Sequence, residues 1–285
     1  MADHRQPSYN IYFERDDLDG AITCLEEFGY CVIRKMMGQD LVDELKDSID
    51  ENLDPHRDLP VASSRSHLTF AEVSEPLWKL LETAPYVNYL HKTHRTNDIC
   101  LHRSAAILRT PGERMGGWHT DHRAHVKEPK EPNDILNRYP IPNGNWFYLN
   151  GSHPERSGIA VIEKSHRPDW EGPEGFEFTF DRDGFHPKGD APDASYSKMD
   201  VPGCIPVIAD PGDLICFAAW TYHASMQTNE RRYSCGLIFR SKSFKVDAPW
   251  PLPLTAKNMA ARLPEHLRHY VDGYTSLDRD WTAQP

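Results

Sequence analysis

The sequence predicts a mainly β protein built on a double-stranded β-helix, a jelly roll of the cupin-like kind, with flanking helices. Two observations carry this. From about Ile99, short apolar runs (ICLHRSAAILR, GNWFYL, SGIAVIE, CIPVIA, DLICFAAW, SCGLIFR) are separated by Gly, Pro, Asn and Asp, the grammar of antiparallel strands. No helical period recurs between these runs, which argues against a parallel α/β sheet.

The elements follow in chain order. In LDGAITCLEEFGY, Leu18, Ile22, Leu25 and Phe28 recur at three- and four-residue spacing, and Gly29 follows where a helix end takes a left-handed residue. This predicts a first helix, and YCVIRKMM after it reads as a buried strand. From Asp40 the helical period returns with Leu41, Leu45, Ile49 and Leu53 on one face, and PLWKLLETAPYVNYLHKT predicts a third helix. Residues 1–98 are expected to form a helical N-terminal part, 99–245 the jelly-roll core and 250–285 a helical C-terminal extension. Within the core, 167–200 reads as a surface insertion whose alternating aromatics fit either an added hairpin or a lid. Neither a repeat nor a low-complexity linker divides the 285 residues, so a single domain is expected; 39% hydrophobic content suffices for its core.

Composition narrows the function classes. Lys and Arg number 32 against 43 Asp and Glu, a net charge of -11. That balance argues against nucleic acid or an anionic membrane as partner and leaves a small-molecule substrate. No run reaches the ~18 apolar residues of a membrane span, and MADHRQPSYN lacks the apolar stretch of a signal peptide. A cytoplasmic protein is the expectation. Cys24, Cys31, Cys100, Cys204, Cys216 and Cys235 show no CxxC spacing and sit mostly in apolar runs, as buried reduced thiols do.

The chemistry concentrates in two segments. In GGWHTDHR, His119 and Asp121 flank one residue, so on an extended strand both side chains leave the same face. Among fifteen histidines such a tripeptide means little alone. His223, just after DLICFAAW, completes two imidazoles and a carboxylate, a facial triad that leaves metal positions open for O2 activation. Ser225, Arg231 and Arg232 follow. A chelating 2-oxo acid needs its far carboxylate held, and an Arg fork beside a hydroxyl does that. Arg232 alternates inward with Ser234 and Gly236, whereas Arg231 falls with Tyr233 and Cys235 and reads as a solvated edge charge. Only nine positions separate His223 from Arg232, so the turn between them must be short.

In order along the chain, LEEFGYCVIRKMM, WHTD, SGIAVIEKSHRP, DPGDLICF, and HAS with NERRYS resemble the landmarks of the phytanoyl-CoA dioxygenase family of Fe(II)- and 2-oxoglutarate-dependent oxygenases. The resemblance implies His119, Asp121 and His223 as iron ligands and catalytic centre, with Ser225 and Arg232 binding 2-oxoglutarate. It implies Fe(II), 2-oxoglutarate and O2 as cofactor and co-substrates, and hydroxylation of a small molecule with release of succinate and CO2. Desaturation and ring chemistry are variants of that reaction. Halogenating relatives replace the carboxylate by a small residue, so Asp121 argues against halogenation.

Between His91 and Lys127 stand seven Lys or Arg (Lys92, Arg95, Arg103, Arg109, Arg114, Arg123, Lys127) against Asp98, Glu113 and Asp121. This local positive field favours an anionic substrate; the plainer reading gives part of it to the 2-oxoglutarate dianion and part to solvent. His122, Arg123, Arg103 and Trp146 are the candidate substrate contacts, with His102 competing with Arg103 to face the pocket. The alternative function is a cupin-like isomerase or binding protein holding Zn or Mn, for which Ser225 and Arg232 would be superfluous. The stretch TAKNMAARLPEHLRHYVDGY is expected to pack on its own barrel; packing on a second subunit, in a homodimer, is the other option.

Overall fold

The computed structural model describes residues 7–121, 136, 143–191, 195–244 and 251–276. The first helix, α1 (Leu18–Phe28), lies between strands β1 (Tyr12–Glu14) and β2 (Tyr30–Arg34), which pair in parallel. Asp17 caps it by accepting from the Gly20 amide, and Gly29 ends it at φ 88° with its N–H on the Leu25 carbonyl. A side chain at Gly29 would also collide with the His166 ring, 2.4 Å from an ideal Cβ. Helix α2 (Gln39–Leu53) buries Val42, Leu45, Ile49 and Leu53, with Leu41 only half-buried.

The expected third helix is broken. A short α3 (Glu75–Trp78) runs into a tighter 3-10 turn over Lys79–Glu82, and α4 (Ala84–His94) starts afresh after an extended Thr83. Pro85 has no N–H for the carbonyl one turn back, so it opens a helix and cannot continue one. The apolar period survived this break in the sequence because both pieces bury the same side, through Leu77, Leu80, Tyr86 and Leu90.

The remaining strands are β3 (Ser64–His67), β4 (Ile99–Arg109), β5 (Gly144–Tyr148), β6 (Ile159–Ile162), β7 (Phe176–Phe178), β8 (Phe185–Pro187), β9 (Cys204–Pro206), β10 (Leu214–Phe217), β11 (His223–Ser225) and β12 (Arg232–Ser241). A large sheet in the order β1-β2-β10-β5-β12-β4-β3 and a small one in the order β11-β6-β9 make up the jelly roll. Helices α1, α2 and α4 cover one face of the large sheet, where Tyr89 donates to Asn145 Oδ1 at 2.9 Å and Tyr86 to the Leu237 carbonyl at 3.2 Å. Because paired residues share a face, the register Arg232 with Arg109, Ser234 with Ile107, Gly236 with Ala105 and Ile238 with Arg103 sets out the opposite, inward face.

The insertion folds as the β7–β8 hairpin. Phe185 is fully buried against Trp118 and Tyr222, and Phe176, Phe178 and Trp170 pack on the same cluster. The hairpin therefore covers the small sheet, although Phe180 at its tip is fully exposed. Helix α5 (Leu254–Arg262) packs on its own chain through Ala256 and Met259. The buried Glu72 carboxylate anchors this region by accepting from Thr255 Oγ1 at 2.5 Å, from the Tyr274 hydroxyl at 2.8 Å and from Ser276. All six cysteines are buried and none forms a disulfide. Among the described residues, no helix is long and apolar enough to cross a membrane.

Arg231 is not the solvated edge charge that strand alternation suggested. Its Nη2 reaches Asp50 at 2.6 Å and Asp54 at 2.7 Å, its Nε donates to the Tyr233 hydroxyl, and Arg57 also binds Asp50. Alternation along one strand could not foresee partners supplied by α2. The cluster pins α2 beside the start of β12. Arg231→Ala leaves the fully buried Asp54 without its cation and is expected to destabilise the fold by about 2–4 kcal/mol, read from urea unfolding.

Candidate metal centre

His119 and His223 come together through the backbone. The His119 amide donates to the His223 carbonyl at 3.0 Å and the His223 amide to the His119 carbonyl at 2.9 Å, leaving the rings 4.4 Å apart. Each Nδ1 lies on a backbone carbonyl two residues back, Gly117 at 2.8 Å and Thr221 at 2.9 Å. A carbonyl can only accept, so both rings carry the proton on Nδ1 and each Nε2 keeps its lone pair. His223 Nε2 stands 4.0 Å from Asp121 Oδ2, and one ligand atom from each of His119, Asp121 and His223 lies within 4.8 Å of the others. Two imidazoles and a carboxylate suit a divalent first-row metal.

The electrostatics agree. Burial, then the neighbouring His119 ring, pushes the His223 pKa down to about 4 against the opposing pull of Asp121, so this ring is neutral at neutral pH. Phe217 packs on it with ring centroids 4.6 Å apart. Gly144 makes that possible, since an ideal Cβ there would lie 2.2 Å from Phe217 Cζ.

The insertion holds the other ligand segment. His119 bridges Gly184, and the Thr120 amide, between the two ligands, donates to the Asp183 carbonyl at 2.8 Å. Trp118, buried just before His119, donates to the Lys198 carbonyl at 2.8 Å.

At one end of the inward face lies Arg232. It is 2% exposed, its Nε and Nη1 have no hydrogen-bond partner among the described residues, and it rests 5.2 Å from the Tyr148 ring centroid. Burial pulls its pKa down to about 10, so it remains a cation in need of an acceptor. Ser225 shares β11 and the alternation of His223, and its carbonyl accepts from Gly116.

A cavity of about 160 Å³ opens elsewhere on this face. Arg103, Trp146 and Asp121 line it with Ile107, Ile238 and Leu68. His102 and Arg103 both border the cavity, although His102 is almost wholly buried and Arg103 half-buried. His122 and Arg123 lie outside the described residues. The expected positive field is partly spent: Lys92 pairs with Asp19, Arg95 with Glu26 at 2.8 Å and Arg109 with Glu113 at 3.2 Å. Sequence reasoning missed Phe217, Gly144, Tyr148 and Arg109 as site residues. The period-two alternation that found Arg232 also places Arg109 on the face of Arg103 when counted along β4.

A jelly roll bringing two imidazoles and a carboxylate together has the donor set of a mononuclear non-heme metal site. The sequence model of the phytanoyl-CoA dioxygenase (PhyH) family matches residues 25–233, and the chain belongs to that Fe(II)- and 2-oxoglutarate-dependent family. No curated protein matches the chain. Among solved structures it is similar to the non-heme alpha ketoglutarate dependent epimerase SnoN from nogalamycin biosynthesis, at 16% identity and TM-score 0.55 over 79% of this chain and 84% of that one. It is also similar to HygX from Streptomyces hygroscopicus, a structure with nickel and 2-oxoglutarate bound, at 14% identity and TM-score 0.56 over 81% of this chain and 89% of that one. At such identities these likenesses establish the fold alone.

The depressed His223 pKa has a stability consequence. The unfolded chain takes up this proton near pH 6.5 and the folded metal-free protein only near pH 4, so stability falls as pH drops through that window. Metal-free protein is expected to lose more stability between pH 7 and pH 5 than His223→Gln does, measured by urea midpoints at both pH values.

Proposed function

We propose that the chain is an Fe(II)- and 2-oxoglutarate-dependent dioxygenase that hydroxylates a small anionic molecule, releasing succinate and CO2. The observation that carries this reading is the buried Arg232 guanidinium, whose Nε and Nη1 lack an acceptor among the described residues, on the inward face of the barrel that holds the His119, Asp121 and His223 cluster. A Zn or Mn isomerase has no use for such a group.

His119, Asp121 and His223 would hold the metal, and the carboxylate offsets part of its charge. Bound iron and the 2-oxo acid would supply the oxidant, with one oxygen of O2 entering the product and the other ending in succinate. Arg232 and Ser225 would hold the distal carboxylate of 2-oxoglutarate and so aim its 2-oxo end at the triad. Backbone bonds to Gly117 and Thr221 keep both Nε2 atoms available, and Phe217 keeps water from one side of His223.

Arg103 supports an anionic substrate, because it brings a guanidinium to a cavity bordered by Asp121, with Trp146 as an apolar wall.

The test is a screen of small carboxylates and phosphates for succinate formation under ¹⁸O2. A product carrying one ¹⁸O, lost in His119→Ala, is expected; an inverted product without new oxygen would contradict hydroxylation. With the substrate in hand, Arg103→Gln is expected to raise its KM about tenfold or more with a smaller change in kcat.

A further inference from the structure

The end of the barrel that holds Arg232 carries a second guanidinium. Arg109 closes β4 directly opposite Arg232 in the β4–β12 register, so both side chains leave the same face. Arg109 is 8% exposed, its Nη1 has no hydrogen-bond partner among the described residues, and its Nη2 donates to Glu113 Oε1 at 3.2 Å. Glu113 sits on a turn tied to the chain that follows β11. Thr228 donates to the Glu113 carbonyl at 2.9 Å, Gly112 to the Thr228 carbonyl at 2.7 Å, and Gly116 to the Ser225 carbonyl at 2.9 Å. Glu113, Arg109 and Arg232 are thus gathered at one end of the interior, and the Gly116 bond ties the backbone of Ser225 to the segment that follows Glu113.

Among the described residues the charges there do not balance. Two guanidiniums face one carboxylate, and the two cations work against each other: the Arg109 charge adds to burial in lowering the Arg232 pKa, while Glu113 opposes it. A carboxylate offers about four lone-pair sites. Arg232 in bidentate contact fills two and the Ser225 hydroxyl a third, which leaves one for the unpartnered Arg109 Nη1.

We propose that Arg109 is a specificity-determining residue of the co-substrate site, a second guanidinium for the distal carboxylate of a 2-oxo diacid, and that Glu113 holds it back as an internal competitor. The proposal rests on the reading of this end as the 2-oxoglutarate site. Its consequence is a pair of opposite effects confined to diacids. Removing the Glu113 charge frees Arg109 and tightens 2-oxoglutarate; removing Arg109 weakens it. A 2-oxo acid without the distal carboxylate does not sense either change.

The experiment is calorimetric titration of Ni(II)-loaded protein with 2-oxoglutarate and with 2-oxopentanoate, which has the same chain length and no distal carboxylate. Glu113→Gln is expected to tighten 2-oxoglutarate about threefold to tenfold and Arg109→Gln to weaken it about tenfold, with 2-oxopentanoate moving less than about twofold in both. The double variant is expected to bind no more tightly than Arg109→Gln. Equal changes for the two acids, or no change in either variant, would overturn the proposal. If Arg232→Gln abolishes the parent's preference for the diacid while Glu113→Gln leaves it untouched, the co-substrate reading stands and the role of Arg109 falls. A parent that binds no 2-oxoglutarate would sink both. Should Arg109→Gln fail to fold, Glu113→Gln, at a side chain 24% exposed, decides the matter alone.

Discussion

Two backbone hydrogen bonds exchanged by His119 and His223 are the constraint on which the rest of the site depends. They join segments far apart in sequence and set two imidazoles side by side. The carbonyls of Gly117 and Thr221 then fix which nitrogen of each ring is free. Asp121 needs only to follow its segment, and that segment is held from outside by Asp183 and Gly184 of the insertion. The insertion therefore holds the segment of His119 and Asp121 in place as well as covering the small sheet. Its aromatics bury Trp118 directly beside the first ligand.

The inward face divides the labour by charge. Arg109 and Arg232 lie opposite each other on neighbouring strands, and further along the same two strands Arg103 and Ile238 border the cavity with Asp121 and Trp146. Burial raises the cost of an unpaired guanidinium, so this arrangement is stable only when acceptors arrive or when a neighbour such as Glu113 partly compensates.

Much of this was legible in the sequence, and the failures have a common cause. The strand runs, the Gly29 cap and the inward Arg232 follow from periods of two and three to four residues, which are local properties, whereas His223 was joined to His119 and Asp121 by the order of the family's landmarks along the chain. The break before α4 was hidden because the apolar period continues through Pro85 on both sides of it. Arg231 was misjudged since its partners Asp50 and Asp54 come from α2 and its C-cap, and Lys92 and Arg95 since theirs, Asp19 and Glu26, come from α1. Gly144 and Phe217 could not be recognised without knowing that β5 pairs with β10. What was lost was register and long-range pairing, which one sequence does not encode in any short window.

The central claim is that the three ligands and Arg232 form one site for a metal-chelated 2-oxo diacid. The most direct measurement is an anaerobic titration of metal-free protein with Fe(II) and then 2-oxoglutarate, following the weak visible charge-transfer band of a chelated 2-oxo acid. A band that is absent in His119→Ala and needs far more 2-oxoglutarate in Arg232→Ala is the expected result. Tight Zn(II) or Mn(II) binding with no such band, or a band indifferent to Arg232, would contradict it.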